Sequence, residues 1–99
     1  MTNHSSPICV TTFADGEIIR MSVWSATGKP DLGRGIRLAR VAYQNRVAAR
    51  LRKRGQFDPD NPVQCEPPTI TALHFEAVDG ESVTTTKFTA DQIAEVTGC

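Results

Sequence analysis

A chain of 99 residues, 39% of them hydrophobic and 22% charged, has enough apolar mass for one small core and none for a second. Eleven basic and eleven acidic residues cancel, yet they are segregated: Lys29, Arg34, Arg37, Arg40, Arg46, Arg50, Arg52, Lys53 and Arg54 face only Asp31, a local charge of +8, and the remainder carries two basic residues against ten acidic ones, or −8. Three widely spaced cysteines and two histidines suggest neither a disulfide framework nor a closely spaced zinc ligand set.

Residues 1–7 are polar and read as a flexible tail, without the apolar run of about 7–15 residues that marks a signal peptide. No stretch approaches the ~20 apolar residues of a membrane span. The expectation is a soluble cytoplasmic protein, with no membrane association, whose residues 8–99 form a single domain.

The segments ICVTTFA and EIIRMSVWS flank Asp15-Gly16 and predict a hairpin, because an Asp-Gly pair supplies the positive φ angles of a tight turn. With a two-residue loop, Phe13, Thr12, Val10 and Ile8 would face Ile18, Ile19, Met21 and Val23. Strict alternation then predicts a core face of Ile8, Val10, Thr12, Ile19, Met21 and Val23. The uncovered face would carry Cys9, Thr11, Phe13, Ile18, Arg20, Ser22 and Trp24.

ATGKP at 26–30 superficially looks like a phosphate loop. Val23 stands where the distal glycine belongs and Pro30 where a hydroxyl would ligate magnesium, so Gly28 and Pro30 are assigned to the start of a helix. Over 31–54, Leu32, Ile36, Ala39, Tyr43 and Val47 keep the spacing of one buried helical stripe. Arg34, Arg37, Val41, Asn45, Ala48 and Arg52 fall on the opposite side. Gly33 and Gly35 weaken the first turn, by ~1 kcal/mol each relative to alanine. Arg50 and Arg54 return to the azimuth of the buried stripe, so this end, with Lys53, is expected to project past the core beside Asp58 and Asp60. Gly55 is the stop signal.

Residues 55–68, with Pro59, Pro62, Pro67 and Pro68, predict an extended connection. The prolines of DPDNP break the oxygen spacing of a calcium loop and leave a solvated turn. A second hairpin is predicted around Asp79-Gly80, pairing Ala77, Phe75, Leu73 and Thr71 with Ser82, Thr84, Thr86 and Phe88. Leu73, Phe75, Ala77 and Phe88 would point inward, and Ile70, Ala72, His74, Glu76, Val83, Thr85 and Lys87 outward. Thr89 with Gln92 forms a capping box, Phe88 with Ile93 a hydrophobic staple, and Gly98 ends a short helix.

The elements predict an α+β domain in ββαββα order: a four-stranded antiparallel sheet of two hairpins, a long helix packed on one face and a short C-terminal helix. No acid–base pair, nucleophile motif or cofactor loop is present, and Cys9, Cys65 and Cys99 have no histidine nearby in sequence. The expected function is a small non-enzymatic protein-interaction module, with no cofactor and no metal, acting through the open sheet face or an edge, as a homodimer in one form. Phe13, Arg20, Trp24, His74 and Lys87 would make the interface; stacking of unpaired nucleic-acid bases on the aromatic rings beside Arg20 and burial of Trp24 under the proline-rich connection are the competing accounts of this face. The alternative is nucleic-acid binding, with Arg34, Arg37 and Arg52 in an outward line and Arg50, Lys53 and Arg54 at the helix end, because the planar guanidinium fork suits phosphate. A solvated face paired with the acidic remainder would explain the same arginines without a ligand.

Overall fold

Asp15 and Gly16 do turn the chain, but within a loop of three residues, 14–16, rather than two. The Gly16 N–H donates to Phe13 O and the Phe13 N–H to Glu17 O, both at 2.9 Å, and Gly16 lies at φ +90°. A glycine in the left-handed region is what a three-residue hairpin loop requires. Strands β1 (Ile8–Phe13) and β2 (Ile18–Ser22) therefore pair one step from the expected register, with Thr12 opposite Ile18, Val10 opposite Arg20 and Ile8 opposite Ser22. A one-residue slip turns a strand over. The core face of β1 is Cys9, Thr11 and Phe13, while Ile8, Val10 and Thr12 lie on the far side. β2 keeps its expected face, with Ile19 and Val23 buried and Met21 packed against them.

The structure, a computed structural model, describes residues 7–26, 29–61, 63–79 and 81–97. Residues 1–6 of the expected tail, with Gly28, Pro62, Gly80, Gly98 and Cys99, each given a role above, lie outside the described residues. After β2 come α1 (Leu32–Lys53), β3 (Ile70–Asp79), β4 (Ser82–Phe88) and α2 (Ala90–Thr97). This is the α+β architecture expected, with a fully antiparallel sheet in the order β2-β1-β3-β4.

β3 and β4 pair Asp79 with Ser82, Phe75 with Thr86 and Leu73 with Phe88, two residues from the expected register. A slip of two preserves the faces, so Leu73 and Phe75 are buried and Phe88 packs on the core as anticipated. Between β1 and β3 the ladder passes from Thr12–Ala72 to Phe13–Ile70 and skips Thr71, whose hydroxyl donates to Thr12 O at 3.3 Å. This bulge returns Ile70, expected on the open face, to the core side, where it is buried.

Asp31 caps α1, its side chain accepting from the Arg34 N–H at 3.1 Å. The buried residues Ile36, Ala39 and Tyr43 belong to the expected stripe, joined by Gly35. Gly35 serves close approach rather than weakness, since a Cβ there would lie 2.9 Å from Phe75 Cζ and 3.1 Å from Cys9 Sγ. At the other end Gly55 has φ +69°, and Gly55 N–H to Arg52 O with Gln56 N–H to Leu51 O complete a Schellman stop. The capping box of α2 forms in both directions, Thr89 N–H to Gln92 Oε1 at 2.8 Å and Gln92 N–H to Thr89 Oγ1 at 3.2 Å. Ile93 enters the core from α2, which lies against both α1 and β3.

The first hairpin turn is held to the middle of α1. The Tyr43 hydroxyl donates to Asp15 Oδ2 at 2.6 Å, and its ring packs on Phe13 with centroids 4.7 Å apart. The hydrogen bond to Asp15, then desolvation, pushes the Tyr43 hydroxyl up to about 12, and the same bond holds the Asp15 carboxyl below its usual range. Because the raised group is neutral when protonated, its contribution is complete below an unfolded tyrosine pKa of ~10 and declines as pH rises toward the folded value. Tyr43 is the chain's single tyrosine. A phenolate absorbance titration is therefore expected to show a midpoint near 12, moving toward 10 in Asp15→Asn. An unchanged midpoint in that variant would refute the coupling.

Candidate functional site

On the side of the sheet without helices, Arg20, Val10, His74 and Lys87 stand in one row across all four strands. Arg20 on β2 reaches over β1 to Glu76 on β3, its two terminal nitrogens donating to the two carboxylate oxygens at 3.3 Å each. His74 Nε2 lies 3.0 Å from Glu76 Oε1. Strands two apart are separated by ~10 Å, so the bridge spans Val10 and accounts for its 8% exposure on an otherwise open face. His74 and then Arg20 hold the Glu76 carboxyl below its ordinary value. The centre of this face is thus already charge-compensated.

Of the residues expected to make an interface here, Phe13 does not belong to the face, because the register slip buries it in the core. Arg20, His74 and Lys87 are on it, the first two bound to Glu76. Trp24 follows β2 and is 58% exposed, so the proline-rich connection does not bury it. That connection is also less extended than expected. The Gln64 side chain accepts from Asp58 N–H at 2.9 Å and donates to Asn61 O at 2.9 Å and to Asp58 O. Asp58 also accepts from Asp60 N–H at 3.0 Å.

The basic segment divides into groups with different partners. Arg46 and Arg50 reach back to Glu17 at 2.8 and 2.9 Å, and Arg46 also donates to Ile18 O at 3.1 Å. Arg50 and then Arg46 lower the Glu17 carboxyl. The helix end thus does not simply project beside Asp58 and Asp60: Arg50 is paired with the first hairpin turn. Arg52 leaves the outward line too, its guanidinium 4.3 Å from the centre of the Phe57 ring. Lys53 and Arg54 are exposed at the end of α1.

Arg34 and Arg37 remain, joined by Arg40. Among the described residues these three have no carboxylate within ion-pair distance. They line an open groove of about 690 Å³ between α1 and α2, together with Ile36, Val41 and Val96. Val41 and Val96 are 47% and 46% exposed, so the groove sets guanidinium groups beside apolar surface. Sequence reasoning missed Arg40, Val41 and Val96 as one site. A partial signal existed: Ile93 and Val96 are three apart on a short helix, so both lie toward one side, and the core takes only the first.

Cys9 is buried, with its thiol pushed up by desolvation, and it contacts Thr11 Oγ1 at 3.5 Å. Among the described residues no three His, Cys, Asp or Glu side chains converge as a metal centre would need. No described helix is long and apolar enough to cross a membrane. No family model, curated protein or solved structure matches this chain.

Proposed function

We propose that this protein is a non-enzymatic binding module that takes an acidic, amphipathic segment of a partner protein into the groove between α1 and α2. The observation that carries this is the combination of Arg34, Arg37 and Arg40, without carboxylate partners among the described residues, and exposed Val41 and Val96 in one concave surface. Guanidinium forks donate to carboxylates in bidentate geometry, and helix-lined grooves take the apolar side of an amphipathic segment. The open sheet face, by contrast, has its central charges committed to one another. A nucleic-acid backbone fits the groove less well, because Asp31 is part of its lining and no aromatic ring is there to stack a base.

Fluorescence anisotropy of two labelled probes tests this: a peptide with leucines at helical spacing separated by glutamates, and a single-stranded oligonucleotide. The peptide is expected to bind more tightly and to weaken with salt. Arg34→Glu, Arg37→Glu and Arg40→Glu combined should weaken it at least ~10-fold, since each charge-assisted contact contributes ~1.5–3 kcal/mol. Arg34 and Arg37 are exposed and Arg40 is half-buried on the flank of α1, so an unchanged circular dichroism spectrum is required as the fold control. Tighter binding of the oligonucleotide, or a peptide affinity indifferent to the triple reversal, would overturn the assignment.

A further inference from the structure

The outer edge of β4 is a second unused surface, independent of the groove. β4 ends the sheet, so among the described residues only its β3 side is paired. Protein edges are commonly shielded by proline, bulges, charges or shortness. β4 has seven residues, no proline, an unbroken register with β3 and one charge, Lys87. The opposite edge, β2, has five residues with Arg20 at its centre. Residues 81–85 and Lys87 are exposed, Val83 by 62%.

We infer that β4 pairs antiparallel with β4 of a second copy about a two-fold axis at Thr84, joining two sheets into one. Charge selects the register. With Thr84 opposite its symmetry mate, Glu81 stands opposite Lys87 and, by symmetry, Lys87 opposite Glu81. Ser82 then faces Thr86 and Val83 faces Thr85, and opposite charges and threonine pairs are favourable directly across strands. An axis at Lys87 would oppose two lysines and an axis at Glu81 two glutamates. Any other axis sets these charges against neutral residues or strand ends. Lys87 faces His74, so alternation puts Val83, Thr85 and Lys87 on the uncovered side of both copies, with Glu81 in the turn that leads into the strand. The axis is perpendicular to the sheet, and both helical layers lie on the same side of the joined sheet.

Sedimentation equilibrium of the full chain at micromolar concentration, with circular dichroism as a fold control, tests this pairing. The native chain is expected to dimerise. Glu81→Lys and Lys87→Glu should each weaken the dimer about 10-fold, or ~1.4 kcal/mol, and the double exchange should restore it, because both pairs are rebuilt with reversed sense. Thr84→Cys, with Cys65→Ser and Cys99→Ser, should oxidise to a covalent dimer, since residues opposite one another have Cα atoms ~4.5–5.5 Å apart, within disulfide reach. The Arg34, Arg37 and Arg40 reversals should leave the dimer unchanged, which separates this interface from the groove. A strict monomer, or a dimer indifferent to the single reversals or unrescued by the double exchange, would overturn the β4 pairing.

Discussion

Phe75→Ala is expected to lower the free energy of unfolding by ~3–5 kcal/mol, the range for deleting a fully buried aromatic ring. Phe75 is 1% exposed and central to the layer between sheet and helices. Its ring meets Phe88 edge-on, with centroids 5.9 Å apart and planes at 80°. On the other side it lies against the backbone of α1 at Gly35. Truncation therefore leaves a gap bounded by backbone, which relaxes less readily than one bounded by side chains. Domains of this kind have a total stability of ~5–15 kcal/mol, so the loss is a large share of the whole. Urea denaturation should show a much lower midpoint, and Phe88→Ala, at a half-buried site, should cost less. A loss below ~1.5 kcal/mol for Phe75→Ala would mean that the core is not organised around this ring.

Gly35→Ala should be destabilising although alanine is the better helix former. A Cβ at 2.9 Å from Phe75 Cζ and 3.1 Å from Cys9 Sγ forces either the ring or the helix to move. Overpacking of this kind costs ~1–3 kcal/mol, against a helical gain of ~1 kcal/mol. Gly33 supplies the control: its Cβ would meet Val96 Cγ1 at an ordinary 3.6 Å. Gly33→Ala is therefore expected to be neutral or stabilising by up to ~1 kcal/mol. In a Phe75→Leu background the nearest clashing atom is gone, and Gly35→Ala should cost less than in the native chain. Denaturation of the four variants yields that coupling directly; a stabilising Gly35→Ala would show that the helix stands farther from the sheet.

The fold class was legible because local signals agreed with one another. The stripe from Leu32 to Val47 is a periodicity readable within one element, the stop at Gly55 and the capping box at Thr89 and Gln92 are local interactions, and all of them form. The face of β1 was not legible from alternation, because ICVTTF offers an apolar set in either phase and one extra loop residue decides between them. Phe13 was the available clue, since the largest side chain of the strand gains most from burial. The shift of two in the second hairpin did no such damage, because it preserves strand parity. Gly35 looked like a weakness along the helix, and only the neighbouring sheet gives it a purpose. The candidate site was half visible: periodicity separated Arg34 and Arg37 from the core, but which cations find carboxylates depends on where the first hairpin turn lands on α1. Arg46 and Arg50 meet Glu17 there, whereas Arg34, Arg37 and Arg40 lie toward the other end of the helix.

The junction between β1 and β3 also sets a kinetic condition. Each ββα half has a hairpin and a helix that can begin to form locally, but the halves share their sheet only along this seam, where Thr12 and Thr71 are 59 residues apart in sequence. Closing a loop of that length costs ~3–4 kcal/mol of chain entropy before the central ladder returns anything. The search that brings β1 and β3 together is accordingly expected to set the folding rate of this small domain, and a shorter 55–68 connection would lower its entropic cost only by the logarithm of the ratio of the two loop lengths.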